Sequence, residues 1–421
     1  MTKTTEAAIK RTRVGYLACS TLALLFLGLI YAFSMFAAPM CSAFGLESSA
    51  VALTFNIMMI AFCVGAVIGS QIEGALGVRA TIIIAAIMSS SVSRAPAFLG
   101  HNGIGVVYGC YGVLGGLGVG IGYNSILATT NAWFPDKVGF SSGVMLMGFG
   151  LGSLILGTAS VNLIPQFGIT AVFAGIGVAT CVVTILAAIV LNRPPSDIVA
   201  VMLPGKSQAS GYDPADEDAP LKTPSFYVYW LWAAIVIAIG LATIGNCASD
   251  AQQVGIDVGF ATLLVGLVST CNGLARVVVG AIFDRTNVKV TMVVDTIAGV
   301  CATLCIVGAF ATGIHALYIV GAFCCGFCYG GVPVVASAFA RQRFGAKAYP
   351  LNLSLANFAI TFGSILNVIV QAVVGGDNRL GVFAVMAILS LVALVDVLPF
   401  SRKWNSDMKK LEERRLKTEA A

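Results

Sequence analysis

The sequence predicts an all-α polytopic membrane protein, with twelve transmembrane helices arranged as two six-helix bundles. Three observations carry this. The chain has 421 residues, 58% of them hydrophobic and 10% charged, which is far too apolar for a soluble protein of this length. Its apolar runs reach about 20 residues or more, enough to cross a hydrocarbon core of about 30 Å as helices. One polar stretch, residues 193–224, divides the runs into two blocks.

Residues 1–14 come first, and MTKTTEAAIKRTR is basic. A long apolar run without a cleavage-site pattern follows it, so it reads as a cytoplasmic lead into helix 1 rather than a removed signal. The first block, 15–192, holds spans near 15–40, 50–73, 79–100, 103–130, 139–164 and 169–192. The segment 193–224, NRPPSDIVAVMLPGKSQASGYDPADEDAPLKT, is rich in Pro and Asp and reads as a cytoplasmic linker. The second block, 225–400, holds spans near 225–248, 259–283, 289–312, 315–340, 350–374 and 380–400. The tail, 401–421, is charged and reads as a solvated cytoplasmic anchor, the other reading being a short helix at the inner surface.

With both termini inside, 21 of the 24 basic residues fall in inner segments. The positive-inside rule therefore sets the orientation in the cytoplasmic membrane. Three residues remain: Arg379 in an outer loop, Arg94 towards the outer end of helix 3, and Arg276.

The net charge of +5 follows topology and does not point to nucleic acid. Ten of the twelve cysteines lie within apolar spans, so a disulfide framework is unsupported. The run CCGFC at 324–328 lacks other metal ligands near it, because the two histidines, His101 and His315, fall in outer loops. It reads as small packing residues, and no metal or other cofactor is expected. GGLGVGIGY at 115–123 is no nucleotide loop, since no strict G-x-G-x-x-G and no strand accompany it. Across this helix, Gly112, Gly116 and Gly120 follow the small-xxx-small spacing that brings membrane helices close. No nucleophile is paired with a base, so the chain does not read as an enzyme.

Arg276 is the charge that needs a reason. It lies two helical turns inside helix 8, where insertion costs about 3 kcal/mol. Such a residue marks a functional site, the competing reading being a side chain that snorkels to the inner surface. Asn272 is four residues earlier and so shares its helix face. A guanidinium offers a planar fork that suits a carboxylate and keeps its proton. No Asp or Glu lies near the middle of a span: Asp295 is near the inner start of helix 9, Asp396 near the inner end of helix 12, and Glu73 at a loop. The expected partner is an anion that arrives and leaves.

Two loops match each other. GSQIEGALGVR (69–79) follows helix 2, and GAIFDRTNVK (280–289) follows helix 8. Both resemble the loop signature of the major facilitator superfamily, which clamps neighbouring helices at the inner gate. The second copy is good, with Gly280, Asp284, Arg285 and Lys289. The first is eroded: Gly77 and Arg79 fit, and Glu73 is one place off. NAWFPDKVGFSSGVMLMGFGLGS from Asn131, and LKTPSFYVYW from Leu221, resemble the oxalate/formate antiporter family of that superfamily and its neighbours, the monocarboxylate transporters. The likeness spans nearly the whole chain.

That resemblance implies a secondary transporter of the major facilitator fold, working by alternating access around a central cavity. It implies that Arg276 binds substrate carboxylate, that Asn272 contacts substrate, and that Tyr31, Tyr123 and Tyr329 line the site. The family's oxalate carrier also has a lysine in helix 11, whereas residues 348–376 hold no charge here. A monocarboxylate is therefore favoured over a dicarboxylate. Asn272 stands where proton-coupled relatives often carry an acid, which favours anion exchange, with proton symport as the alternative. A non-transporting metabolite sensor is a remote third reading. The partners expected are a small carboxylate and the lipid bilayer, with the monomer as the working unit.

Overall fold

The computed structural model describes residues 3–46, 48–94, 103–195, 198 and 214–419. His101, Lys206 and most of the linker lie outside these residues. Every regular element among the described residues is helical.

α1 begins as Lys3–Leu27, tightens to a 3₁₀ turn at Gly28–Ala32 and resumes as Phe33–Phe44. Next comes one helical stretch, Ser48–Ser89, of 42 residues. Drawn straight it would be about 60 Å long, twice the hydrocarbon thickness. Gly77 divides it into α2 and α3, with φ 81° and ψ 167°, a conformation costly to residues with a Cβ. Eleven described helices are long and apolar enough to cross a membrane, and the Gly77 break brings the spans to twelve.

The others are α4 (Ile104–Ala132), α5 (Val138–Phe167), α6 (Ile169–Val190), α7 (Pro224–Ile244), α8 (Val258–Arg285), α9 (Val288–Thr312), α10 (His315–Phe344), α11 (Tyr349–Val374) and α12 (Arg379–Glu419). Two of them carry π-helical stretches, α4 at Val107–Gly115 and α5 at Ser153–Gly157.

The chain forms two compact units. The first comprises residues 1–136 and 144–206, and the second 137–143 and 207–421. The opening turn of α5 thus groups with the second unit. In the first, α4 packs along α2 and α3, which also meet α6. Close approach is permitted by the glycine spacing read in the sequence. A methyl on Gly112 would strike Ile57, on Gly116 the Met58 carbonyl, and on Gly120 the Phe62 carbonyl. The N-x-W-F-P-D-K segment pins the end of α4 within this unit. The Trp133 indole donates to the Asn192 carbonyl at 2.8 Å, and Asp136 pairs with Arg13 at 2.6 Å. Trp133 and Phe134 bury with Ile9 and Ile198.

In the second unit α10 is central, packing on α8, α9 and α7, while α12 packs on α9 and α7. The charged tail differs from its expected solvated state. α12 runs unbroken to Glu419, and Trp404 and Leu411, seven residues apart on one face, are buried. Arg414 of the tail and Arg343 of α10 both donate to Asp218 Oδ2, at 2.8 and 2.6 Å. Asp407 accepts from the Ser225 hydroxyl at 2.7 Å. Apolar burial and these pairs together hold the tail against residues 216–225.

Candidate substrate site

In the second unit, α8 positions Arg276 and Asn272 one turn apart. Both are nearly buried, with 4% and 7% of their surface exposed. Their helix meets α10 through two glycines four residues apart. A methyl on Gly326 would press on the Val268 carbonyl, and one on Gly330 would strike the Asn272 carbonyl. Tyr329 precedes the second glycine, and its ring lies on Gly240 of α7. Pro333 follows in α10 and removes a helical hydrogen bond at the Tyr329 carbonyl. The structure thus brings Asn272 against Gly330, the residue after Tyr329, with Arg276 on the next turn of α8.

The Arg276 carbonyl packs on Gly143, in the opening turn of α5. The same turn is capped by Asp284, whose two oxygens accept from the Gly139 and Phe140 amides at 2.8 and 2.7 Å. A carboxylate there answers free N–H groups and the positive end of the helix dipole. Gly280 lies against Gly139, so the loop glycine and acid of the second signature hold one helix start. Arg285 and Lys289 are exposed. One residue on from Ser141, Ser142 shares a hydrogen bond with Ser337 of α10 at 2.6 Å.

In the first unit, Tyr31 stands in the 3₁₀ turn of α1, half-buried, and Tyr123 is buried in α4. Phe149 of α5 joins them, with ring centroids 5.5 Å from Tyr31 and 5.1 Å from Tyr123. Phe62 of α2 completes the cluster, 5.2 Å from Tyr123. Sequence reasoning missed both phenylalanines, which look like ordinary apolar residues until their partners are known. Glu73, expected at a loop, lies instead in the last turn of α2 before the Gly77 break, buried, accepting from Ser125 at 2.7 Å and Arg193 at 3.2 Å. Arg79 is exposed and donates to Asn192 at 3.1 Å. Asp284 caps a helix and Glu73 does not, so the two loops do different structural work.

All twelve cysteines are free thiols. Among the described residues, no cluster of His, Cys, Asp and Glu has the makings of a metal site.

The model of the Major Facilitator Superfamily matches residues 18–201 and 225–418. The chain belongs to the major facilitator superfamily. It is by family a multi-pass membrane transporter and not an enzyme. The gap in the match falls on the linker between the two blocks. Among curated relatives, the oxalate:formate antiporter of Oxalobacter formigenes is 24% identical over 380 residues, 88% of each chain. The gallate transporter of Pseudomonas putida is 24% identical over 377 residues, 82% of each. A proton:xylose symporter bound to a bromodeoxyglucose has the same fold, with a TM-score of 0.69 at 15% identity, covering 93% of this chain and 96% of that one.

Proposed function

We propose that this superfamily transporter carries a small monocarboxylate across the cytoplasmic membrane by alternating access, with both termini cytoplasmic. The observation that carries this is the burial of Arg276 beside Asn272 on one face of α8. A guanidinium removed from water binds a carboxylate through two parallel charge-assisted bonds, and Asn272 supplies an amide donor one turn away. The two named relatives, one moving oxalate and formate and the other gallate, are both carboxylate carriers by name. Tyr31, Tyr123 and Tyr329 are the proposed lining, with hydroxyls for the anion and rings for a short apolar tail. The distribution of basic residues supports the orientation.

Coupling has two readings. Exchange of one anion for another suits a site made of arginine, asparagine and tyrosine, with no acid among its residues. Proton symport is favoured by a separate observation, the fully buried carboxyl of Asp295 on α9.

The test of the site is ligand-induced thermal stabilisation of purified protein by formate, acetate, lactate, pyruvate and oxalate, followed by uptake into liposomes. A monocarboxylate should stabilise the protein more than oxalate does. Arg276→Lys keeps the charge and loses the fork, so it should abolish both stabilisation and uptake. Near-normal uptake by that variant would falsify Arg276 as the carboxylate clamp.

A further inference from the structure

Asp295 is seven residues into α9, within the apolar part of the second unit. Its exposure is zero, and among the described residues neither carboxyl oxygen receives a hydrogen bond. The carboxyl lies flat on Gly331 of α10, where a methyl group would collide with both oxygens. That glycine is the immediate neighbour of Gly330, which touches Asn272. Two adjacent residues of α10 therefore contact the buried acid on one side and the α8 site face on the other. Pro333, two residues further on, weakens α10 at this point.

The surroundings offer the carboxyl no compensation. From α10 the titratable group facing it is Cys328, whose thiol donates instead to the Cys325 carbonyl at 3.3 Å. From α7 the Trp232 indole approaches the next residue, donating to Thr296 at 2.7 Å. No charged side chain of α7, α8, α10 or α12 interacts with it among the described residues. A bare carboxylate held this way forfeits its hydration with nothing in return, whereas a carboxylic acid forfeits far less. Acids of this kind inside membrane spans mark ion and proton pathways.

We propose that Asp295 is a proton-binding site that couples transport to protons. In the conformation described, one O–H bond closes the carboxyl. When α10 shifts from α9, water reaches Asp295 and the proton leaves as H⁺ to the side then open. The proton travels with the carboxylate, and the pair crosses without net charge. Exchange is then a partial reaction of the same cycle, run with Asp295 protonated in both directions. This inference rests on the carboxylate-carrier reading, but its site is a different residue on a different helix.

The experiment uses the full chain, wild type and Asp295→Asn, an isosteric replacement that mimics the protonated acid. In liposomes loaded with a pH-sensitive dye, wild-type uptake of the stabilising carboxylate should carry protons inward. In Asp295→Asn, uptake driven by a proton gradient should fall to the level of empty liposomes. Its exchange against internal carboxylate and its thermal stabilisation by ligand should both persist. A second measurement needs no substrate: infrared difference spectra of the purified protein at neutral pH should show a protonated carboxyl band that Asp295→Asn lacks. Gradient-driven uptake that survives in Asp295→Asn overturns the proposal, as does a wild type whose net uptake into liposomes without internal carboxylate moves no protons. Both outcomes leave the carrier reading standing. If instead no carboxylate binds, that reading fails, and the infrared band alone decides whether Asp295 holds a proton.

Discussion

Arg379 holds both carboxylate oxygens of Asp250, at 2.6 and 2.7 Å, with 4% of the arginine side chain and none of the aspartate exposed. Its second terminal nitrogen contact runs to the Ala242 carbonyl at 2.8 Å, and its plane sits 5.2 Å from the Phe383 ring. The pair ties the start of α12 to the end of α7 and the short helix Cys247–Gln253 that follows it. Burial pushes the Asp250 carboxyl up, against the pull of the guanidinium. Removing one partner strands the other charge. Arg379→Ala should therefore destabilise the protein by about 3–5 kcal/mol. Replacing both residues with leucine should recover most of that loss. Thermal or chemical unfolding of the three variants in detergent checks this, and a single variant as stable as wild type would refute it.

Asp284 makes a milder prediction. It satisfies two amides at the start of α5, so Asp284→Ala removes the cap and its charge together. The cost should be about 1–2 kcal/mol. Asp284→Asn keeps one acceptor and should fall between wild type and alanine. If asparagine is no better than alanine, the contact is electrostatic only and the capping account is wrong.

Apolar run length and the polar break at 193–224 are local, and they sufficed for a twelve-span, all-helical chain. The Gly112, Gly116 and Gly120 contact was legible because helical spacing puts the three on one face. Arg276 and Asn272 share a face of α8 for the same reason. Arg379 was different. In sequence it reads as a loop charge, because its partner is 129 residues away. The tail's charge content points to solvation, while Trp404 and Leu411 at a seven-residue spacing are the sign of an apolar face. Asp295 stands near a helix end in sequence, where solvation is the default. Its burial depends on Gly331, which only the packing of α10 supplies.

Phe149 joins two proposed lining residues and should behave as their support. Phe149→Ala opens a cavity between Tyr31 and Tyr123 and should cost about 3–5 kcal/mol. Phe149→Leu retains much of the volume and should cost less than about 1.5 kcal/mol. If the tyrosines line the substrate site, even the leucine variant should raise the uptake KM, because edge-to-face contact with both rings is lost. Wild-type KM in Phe149→Leu would show that the cluster is packing alone.

Asp218 gives a prediction in pH. It lies outside the spans, in the segment that the tail covers. Its partial burial works to push the carboxyl up, but the hydrogen bonds from Arg414 and Arg343 outweigh this and hold it below the usual 3.8. The sign follows from linkage. A carboxyl with a lower value in the folded state than in the unfolded state stabilises the fold wherever both forms are ionised. That contribution is complete above 3.8 and is lost as pH falls through the lower, folded value. The stability difference between wild type and Asp218→Asn should therefore be flat from neutral pH down to the ordinary carboxylate range and shrink below it. It should also narrow with added salt, because the pair is partly exposed. Unfolding of both proteins over a pH series, at low and high salt, makes the comparison. A difference that grows on acidification would mean that the neutral acid is the form the tail contact favours, and the ion-pair account of the docked tail would fail.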